Sequence, residues 1–442
     1  MSQTKLLIIG GVAGVVVIIL LLFLVLGSFS GGINQQATLQ FWGTFDDDRF
    51  YVDAISDFSK ANPGVRVIYR KFNFEDYEKQ LIDSFAAGTG PDVWLMHNTW
   101  LPKHADKIQP LPQQKLEGES DPLLTFKDFQ EQFVDVTVRD LTLGGQIYAL
   151  PIYVDTLALY YNKDLLNNEG IAEPAKSWEE FNDHVKRLTI FDSRGNIVRS
   201  GAAIGTAANI NRSTDIVALL MIQSGTKMTN TENSNATFSK SVNGKNVGEN
   251  ALQYYTDFAD VSNRTYTWND KQHYSIDAFI NGDAAMMFNY SHHIKTIRDK
   301  SARFNFAVAP APQISGASVL SNHANYWAPT VSKQSKYPVL AWKFLVSLSS
   351  AGGNVLYVNA SNRPSARRDI IEQQKTDPDL GVFATQALSA RSWYQIDSSA
   401  IETIFAEMIN DVNFGRATVR SALEAAESKI NVLMGRARKG IF

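Results

Sequence analysis

The stretch AAGTGPDVWLMHNTW, residues 86–100, indicates the local fold more sharply than any other part of the chain. Gly88, Gly90 and Pro91 are typical turn residues. The apolar run DVWLM that follows them is typical of a buried strand. This strand ends in residues 97–100, which carry an imidazole, an amide, a hydroxyl and an indole. A buried strand that ends in hydrogen-bonding groups and an indole predicts a small-molecule surface at its carboxyl end.

The segments before this strand alternate between strand and helix patterns. Strands are predicted for ATLQFW (37–42), VRVIYR (65–70) and DVWLM (92–96), and helices for residues 46–64 and 74–88. This order predicts a parallel sheet with right-handed crossovers, in which ligands sit beyond the carboxyl ends of the strands. We therefore expect the loop GTFDDD (43–48) and residues 97–100 to meet at one edge of the sheet.

Length and composition exclude several classes of protein. A chain of 442 residues is too long for one compact core and predicts two lobes of roughly 200 residues each. The net charge of −3 gives no reason to expect a nucleic-acid partner. The chain has no cysteine, which excludes disulfides, thiolate metal sites and lipid attachment through cysteine.

The amino-terminal residues predict a membrane anchor. Residues 6–27 carry no charge and would span about 33 Å as a helix. We expect residues 1–5 to be cytoplasmic, residues 28–37 to be a flexible tether, and the rest of the chain to lie outside the membrane. A cleavable signal peptide is the alternative, although the apolar run is longer than is usual for one.

Aromatic residues with amides or charges beside them recur at the ends of predicted strands. Trp100, Tyr153 with Asp155, and Asn209 with Arg212 are examples. Aromatic rings suit the apolar C–H faces of a polyhydroxylated ring, and amides, carboxylates and guanidinium groups suit its hydroxyls. Other roles are open for some of them, because the carboxylates at residues 46–48 also favour a helix N-terminus and Arg363 could stabilise a turn.

Motifs for catalysis and for cofactors are missing. The sequence has no phosphate-binding loop, no nucleophile elbow and no H-E-x-x-H motif. The adjacent His292 and His293 would diverge by about 100° on a helix and would chelate one metal poorly. We therefore expect a protein that is not an enzyme and that binds no metal or cofactor. A pair of carboxylates for glycoside hydrolysis cannot be recognised from sequence spacing, so that alternative stays open.

Several stretches in order resemble the extracellular solute-binding proteins of ABC importers, the family that includes maltose-binding proteins. The resemblance runs from about residue 38 to about residue 436. The stretches that carry it are NPGVRVIY, YEKQLIDSFAAGTGPDVWLM, IQPL, YALPIYVDTLALYYNKDLL, SWEEF, AFINGDAAMMFNYSHHI, APAP, YWAPTVSKQS and AWKFLVSLSS. This chain differs from the many family members that carry a lipidated cysteine or a cleaved signal, because it has no cysteine and a long apolar segment.

This resemblance implies two α/β lobes of the periplasmic-binding-protein type, joined by hinge crossings. The transmembrane helix predicted from the apolar segment would precede them. The expected first lobe is 38–152 plus 288–328, and the expected second lobe is 153–287 plus 329–442. Crossings are expected near residues 151–155, 286–290 and 328–332.

The resemblance also implies a set of ligand-binding residues in the loops and crossings. To these we add the two strand-end residues Asn209 and Arg212. The residues implied by the family are Gly43, Thr44, Asp46, Asn98, Trp100, Tyr153, Asp155, Asn289, Tyr290, Trp327, Arg363 and Trp393.

The expected function is capture of a sugar or oligosaccharide by closure of the two lobes, for delivery to the permease subunits of an ABC importer. The alternatives are a cell-surface glycoside-acting enzyme and an anchored solute sensor without a transport role. Within the binding class, a phosphate ester would need Arg212 or Arg363 in the cleft, and a polyamine would need the Asp46 cluster.

Overall fold

The computed structural model describes residues 36–117 and 120–438. The predicted membrane segment and the tether up to residue 35 therefore lie outside the described residues. Within the described ranges, no single helix has both the length and the apolar composition to cross a bilayer. The helices Pro338–Ser349 and Ala351–Ser361 meet these criteria only as a pair, and the pair is bent by 68°.

Strands and helices alternate along much of the described chain. The strands are β1 (Ala37–Thr44), β2 (Val65–Phe72), β3 (Val93–His97), β4 (Thr142–Leu143), β5 (Gln146–Ile147), β6 (Asp155–Thr156), β7 (Ala158–Asn162), β8 (Ile190–Phe191), β9 (Ile197–Arg199), β10 (Met286–Asn289), β11 (Phe306–Pro310), β12 (Asn322–Asn325), β13 (Trp327–Val331) and β14 (Ala390–Arg391). The α-helices are Val52–Ala61, Phe74–Ala86, Leu101–His104, Phe126–Gln132, Asp135–Asp140, Lys163–Asn168, Trp178–Leu188, Ser213–Gln223, Val247–Asp257, Ser275–Asn281, His293–Lys300, Pro338–Ser349, Ala351–Ser361, Arg368–Gln374, Gly381–Ala387, Ser398–Asn413 and Val419–Arg438.

The first lobe contains the predicted parallel sheet. β1 pairs in parallel with β2 on one side and with β3 on the other, and β13 adds an antiparallel strand beside β3. The helix Phe74–Ala86 buries Tyr77, Leu81 and Phe85 on one face. The helix ends just before Gly88, whose φ of +70° is the left-handed conformation that favours glycine after a helix. The predicted β-α-β-α-β order and the glycine stop are thus confirmed.

The second lobe is built on a separate hydrophobic core. Its central sheet has the order β10-β7-β11, with both pairings antiparallel. All four residues of β10 are buried, and so are nine of the eleven residues of the helix Ser213–Gln223. A strand or helix that is apolar on every side must be enclosed on every side, and these two elements lie in the centre of the lobe.

A third small sheet joins the two lobes. It has the order β14-β12-β6, and each of its strands lies where the chain passes from one core to the other. Val154 belongs to the first core and Leu157 to the second, so the first crossing lies beside the expected residues 151–155. The other crossings lie at residues 311–324 and 371–393.

The expected lobe boundaries need correction after residue 287. Residues of β10 and β11 pack in the second core, whereas β13 and the helix Pro338–Ser349 pack in the first. The stretches 286–290 and 328–332 are therefore buried strands within one lobe each, and not crossings. A short, wholly apolar strand has the same residue pattern in either lobe, and only its pairing partners assign it.

Candidate functional site

A cleft of about 540 Å³ lies between the two cores. The first lobe contributes residues that follow β1 and β3 and residues of β13, and the second contributes residues around the helix starts at Ser213 and Ser398. Residues of the crossing strands β6 and β12 form its back wall. The cleft thus lies at the carboxyl edge of the parallel sheet, where ligands are expected in such folds.

Aromatic rings form much of the cleft wall. Trp100 and Trp327 meet at an angle of 74° with centroids 4.9 Å apart. Trp327 is opposite His97 in the β3–β13 pairing, so the strand end that opens onto Trp100 delivers both indoles to the same place. Tyr153 from the first crossing, Tyr290 and Trp393 also line the cleft. This arrangement explains the indole and polar groups at residues 97–100.

One guanidinium of the cleft is paired with a buried carboxylate behind the wall. Arg363 donates to Asp46 Oδ1 at 2.7 Å and lies over the ring of Tyr153, with its Cζ 4.2 Å from the centroid. The other oxygen of Asp46 accepts hydrogen bonds from the hydroxyls of Tyr51 at 2.6 Å and Tyr357 at 2.8 Å. Asp46 therefore holds Arg363 in place and does not itself line the cleft.

The second guanidinium is also paired. Arg212 donates to both oxygens of Asp215, at 2.7 and 3.0 Å. Although burial opposes ionisation, this ion pair lowers the pKa of Asp215 below its ordinary value. The hydroxyl of Tyr290 donates to Asp215 at 2.6 Å and lies 3.2 Å from Nδ1 of His323. Arg212 Nη1 also lies 3.7 Å from Oε1 of Glu402, so two carboxylates of the cleft share this guanidinium.

On the second-lobe side of the cleft, an amide and an imidazole each have a buried nitrogen without a hydrogen-bond partner. Asn211 Nδ2 lies 3.1 Å from Asn289 Oδ1 and 3.0 Å from His293 Nε2. The amide donates to the imidazole, so the proton of a neutral His293 is assigned to Nδ1. That nitrogen and Asn289 Nδ2 are buried without a hydrogen-bond partner. Burial lowers the pKa of His293 well below its ordinary value, so the ring is neutral at pH 7.

His97 is a second neutral imidazole. Its Nδ1 lies 2.7 Å from Thr99 Oγ1, and its Nε2 lies 3.3 Å from Asn325 Oδ1. The amide oxygen can only accept, so Nε2 carries the proton and Nδ1 accepts from the threonine hydroxyl. Burial lowers the pKa of His97 to about 4.

This pKa predicts a loss of stability in acid. Between pH 6.5 and about 4 the unfolded chain takes up a proton at residue 97 that the folded protein excludes. The free energy of unfolding of the wild type should therefore fall, relative to that of His97→Asn, by about 1–2 kcal/mol from pH 7 to pH 5. Urea titrations of both proteins at the two pH values measure this difference, and a constant gap between them would contradict the assignment.

A lysine bridges the two lobes at the edge of the cleft. Lys103 Nζ lies 2.9 Å from Glu78 Oε1 in the first lobe and 2.8 Å from Asp397 Oδ2 in the second. Asp397 also caps the helix Ser398–Asn413 through the backbone N–H of Ala400. Next to this bridge, the indole N–H of Trp100 donates to Ser398 Oγ at 3.3 Å. These contacts link the two lobes beside the cleft.

Eight of the predicted site residues line the cleft. They are Trp100, Tyr153, Asp155, Arg212, Tyr290, Trp327, Arg363 and Trp393. The oxygens of Asp155 accept hydrogen bonds from the N–H and hydroxyl of Ser291 and from the N–H of Thr156. This carboxylate therefore ties the first crossing to the second lobe.

The remaining predicted residues lie outside the cleft wall, for local reasons. Gly43 is packed so closely that a Cβ there would lie 2.6 Å from the hydroxyl of Tyr69. Asn98 donates to the buried Asp140 at 2.9 Å. Asn209 donates to two backbone carbonyls in the loop 269–272. Asp46 and Asn289 lie behind the wall, and Thr44 lines a neighbouring groove.

Sequence reasoning missed several residues of the wall. Four of the seven histidines in the chain lie there: His97, His292, His293 and His323. Phe45, Phe74, Asn211, Asp215 and Glu402 were also missed. His97 belongs to residues 97–100, which were expected at this edge, but it was not among the predicted ligand-binding residues. In the described ranges, no group of three or more metal-ligating side chains is placed to hold an ion.

The fold and the cleft define a two-lobed binding protein. The chain belongs to the bacterial extracellular solute-binding proteins, because the model of that family matches residues 53–382. The predicted family is confirmed, and with it the prediction of a binding protein instead of an enzyme.

Solved structures and curated relatives agree with this assignment. The cyclic α-maltosyl-1,6-maltose binding protein of Arthrobacter globiformis is similar in fold, with a TM-score of 0.74 at 18% identity over 90% of this chain and 99% of that one. The sugar-binding protein MalE of Xanthomonas citri gives 0.72 at 19% identity over 91% and 98%. The predicted two-lobed α/β fold is thus confirmed.

Among curated proteins, the chain is similar to the maltotriose-binding protein of Pyrococcus abyssi, with 25% identity over 60% of this chain and 50% of that protein. It is also similar to the maltodextrin-binding protein MdxE of Bacillus subtilis, with 34% identity over 26% and 25%. The chain spans between a quarter and a half of the length of the curated relatives it matches.

Proposed function

We propose that this protein captures a neutral oligosaccharide between its lobes and presents it to the permease subunits of an ABC importer. The observation that carries the proposal is the cleft of about 540 Å³ between the lobes, with aromatic walls and uncharged amide and imidazole groups. Aromatic rings match the C–H faces of sugars, and amides and neutral imidazoles match their hydroxyls. Relatives named for binding maltotriose and maltodextrin support the sugar class.

The pairing of the cationic groups in the cleft favours a neutral ligand over a phosphate ester. Arg212 and Arg363 both line the cleft, but each already has a carboxylate partner within 2.7 Å. A phosphate ester would have to compete with those partners for the guanidinium groups. Asp46, which a polyamine would need, is buried behind the wall and accepts three hydrogen bonds.

The geometry supports binding more than hydrolysis. Glycoside hydrolysis needs one carboxyl group that can donate a proton and a second that remains ionised. Among the carboxylates of the cleft, Asp215 is held ionised by Arg212, and both oxygens of Asp155 accept hydrogen bonds from Ser291. The third, Glu402, also lies beside Arg212, with Oε1 3.7 Å from Nη1. A sensor without a transport role would use the same cleft, and only contact with a permease distinguishes it.

A sugar panel tests the proposed function. The described lobes would be titrated with the dimers and tetramers of four series: malto-, galacto-, arabino- and manno-oligosaccharides. We expect at least one series to raise the melting temperature and to give a calorimetric Kd in the micromolar range or below, about −8 kcal/mol. The panel also includes a phosphate ester and a polyamine. No binding of any compound, or binding only of one of these two, would overturn the proposal.

We also propose that residues 6–27 anchor the protein in the membrane, with the lobes on the extracytoplasmic side. The support is the uncharged segment of 22 residues, which is long enough to span. Full-length protein should stay in the membrane fraction after alkaline carbonate extraction, and a chain that begins at residue 36 should be soluble. Release of the full-length protein by carbonate would exclude the anchor.

The bridge at Lys103 should contribute to affinity by favouring the closed arrangement. Lys103→Met removes the cation shared by Glu78 and Asp397, and we expect about three- to ten-fold weaker binding of the panel sugar, with less dependence on salt. Lys79→Met is the matched control, since Lys79 forms an exposed ion pair with Asp83 on the helix Phe74–Ala86, which also carries Glu78. Calorimetry at two salt concentrations measures both, and equal affinities of the two variants would contradict a role in closure.

A further inference from the structure

Two phenylalanines stand at the mouth of the cleft. Phe45 and Phe74 both line the cleft, and each is 50% exposed. Their ring centroids are 4.9 Å apart, and both present an edge or face to Trp327, at 5.8 and 6.2 Å. Large apolar rings that are this exposed and supported from behind are typical of surfaces that bind a ligand.

The backbone at Phe45 has an unusual conformation. Its φ is +63°, in the left-handed region that a bulky residue rarely adopts. Such a conformation persists only where the surrounding structure imposes it, and it is common at ligand-binding sites. In this conformation the ring of Phe45 lies against Phe74 and Trp327 at the mouth of the cleft.

A shallow groove lies on the other side of the phenylalanine pair. The groove is lined by Phe45 and Phe74 together with Thr44, Lys71, Phe72 and Asn73. Thr44 is 2% exposed, and its hydroxyl oxygen is buried without a hydrogen-bond partner. A buried hydroxyl without a partner has lost its hydration without a replacement, and a ligand hydroxyl in the groove would supply one.

We propose that this groove is an outer subsite for a further sugar unit of an oligosaccharide whose main part lies in the cleft. The inference rests on the proposed function and adds that the protein binds longer oligosaccharides more tightly than shorter ones. The phenylalanine pair lines both depressions, so a chain that leaves the cleft passes over its rings. The rings stack on the sugar, and the Thr44 hydroxyl and the Asn73 amide bind its hydroxyl groups.

The test compares sugars of two lengths. The dimer and tetramer of each of the four series in the panel would be titrated into wild-type protein, into the double variant Phe45→Ala/Phe74→Ala, and into Thr44→Val. We expect the wild type to bind one tetramer about ten-fold more tightly than its dimer. Both variants should lose most of that advantage, and Thr44→Val, whose side chain lies outside the cleft wall, should keep the affinity for the dimer.

A control and a folding measurement separate binding from structure. Phe414→Ala removes a phenylalanine that is 57% exposed in the second lobe and away from the cleft, and it should leave both affinities unchanged. Thr44→Val keeps the shape of the side chain, so its melting temperature should equal or exceed that of the wild type. A tetramer that binds no better than its dimer, or an advantage that survives in the variants, would overturn the subsite alone. Failure of every sugar to bind would overturn the proposed function and the subsite together.

Discussion

Trp100→Ala should weaken sugar binding by a factor of about 100 or more, equivalent to about 3 kcal/mol. Trp100 forms the cleft wall with Trp327, and its indole N–H reaches Ser398 in the other lobe. The substitution therefore removes a stacking surface, a polar contact between the lobes and part of the enclosure. Calorimetry with the tightest member of the sugar panel measures the loss.

A second tryptophan of the same lobe provides the control. Trp42 lies in β1, stacks on Phe72 and Arg70 and does not line the cleft. Trp42→Ala should lower the melting temperature and leave the Kd nearly unchanged. If both variants lost affinity in proportion to their loss of stability, Trp100 would be a packing residue and not part of the ligand site.

Arg363→Met should destabilise the fold by about 3–5 kcal/mol, because it leaves the carboxylate of Asp46 buried without its cation. The ion pair is 2.7 Å long, and the side chains of Arg363 and Asp46 are 12% and 3% exposed. Tyr51 and Tyr357 would still donate to the carboxylate, but hydroxyls do not neutralise its charge. Urea unfolding of the ligand-free protein measures the effect.

Two further variants show whether the loss of stability comes from the buried charge of Asp46. Arg416→Met breaks an exposed ion pair with Asp411 and should change stability by no more than about 0.5 kcal/mol. In the double variant Asp46→Asn/Arg363→Met the uncompensated charge is gone, and part of the lost stability should return. A loss below about 1 kcal/mol for Arg363→Met alone would mean that water reaches Asp46 and that the pair is not a structural anchor of the cleft.

The fold was predictable wherever its signals are local. Periodic apolar residues and turn glycines indicate β1, β2, β3 and the helices between them, because hydrophobic spacing depends only on neighbouring residues. The position of β13 beside β3 depends on residues more than 200 positions apart, and no local pattern encodes that pairing. The second and third crossings were misplaced for the same reason, since a buried strand does not show which lobe encloses it.

The site was predictable in its chemistry and less so in its membership. Trp100, Tyr290 and Trp327 could be recognised as aromatic residues at strand ends. From the sequence, Asp46 could not be distinguished from a ligand-binding carboxylate. Its hydrogen-bond donors Tyr357 and Arg363 come from a helix and a turn more than 300 residues away. Phe45 was missed because an exposed phenylalanine has no sequence signature until its backbone conformation is known.

A crystal structure of the lobes with the tightest-binding sugar of the panel would test the central claim most directly. We expect the sugar in the cleft between the lobes, with its rings against Trp100, Trp327 and Tyr290 and its hydroxyls bonded to the cleft-lining side chains Asn211 and His293. The bridge from Lys103 to Asp397 should be intact in that complex. A sugar bound on the outside of either lobe, with the cleft empty or filled only by solvent, would contradict the account.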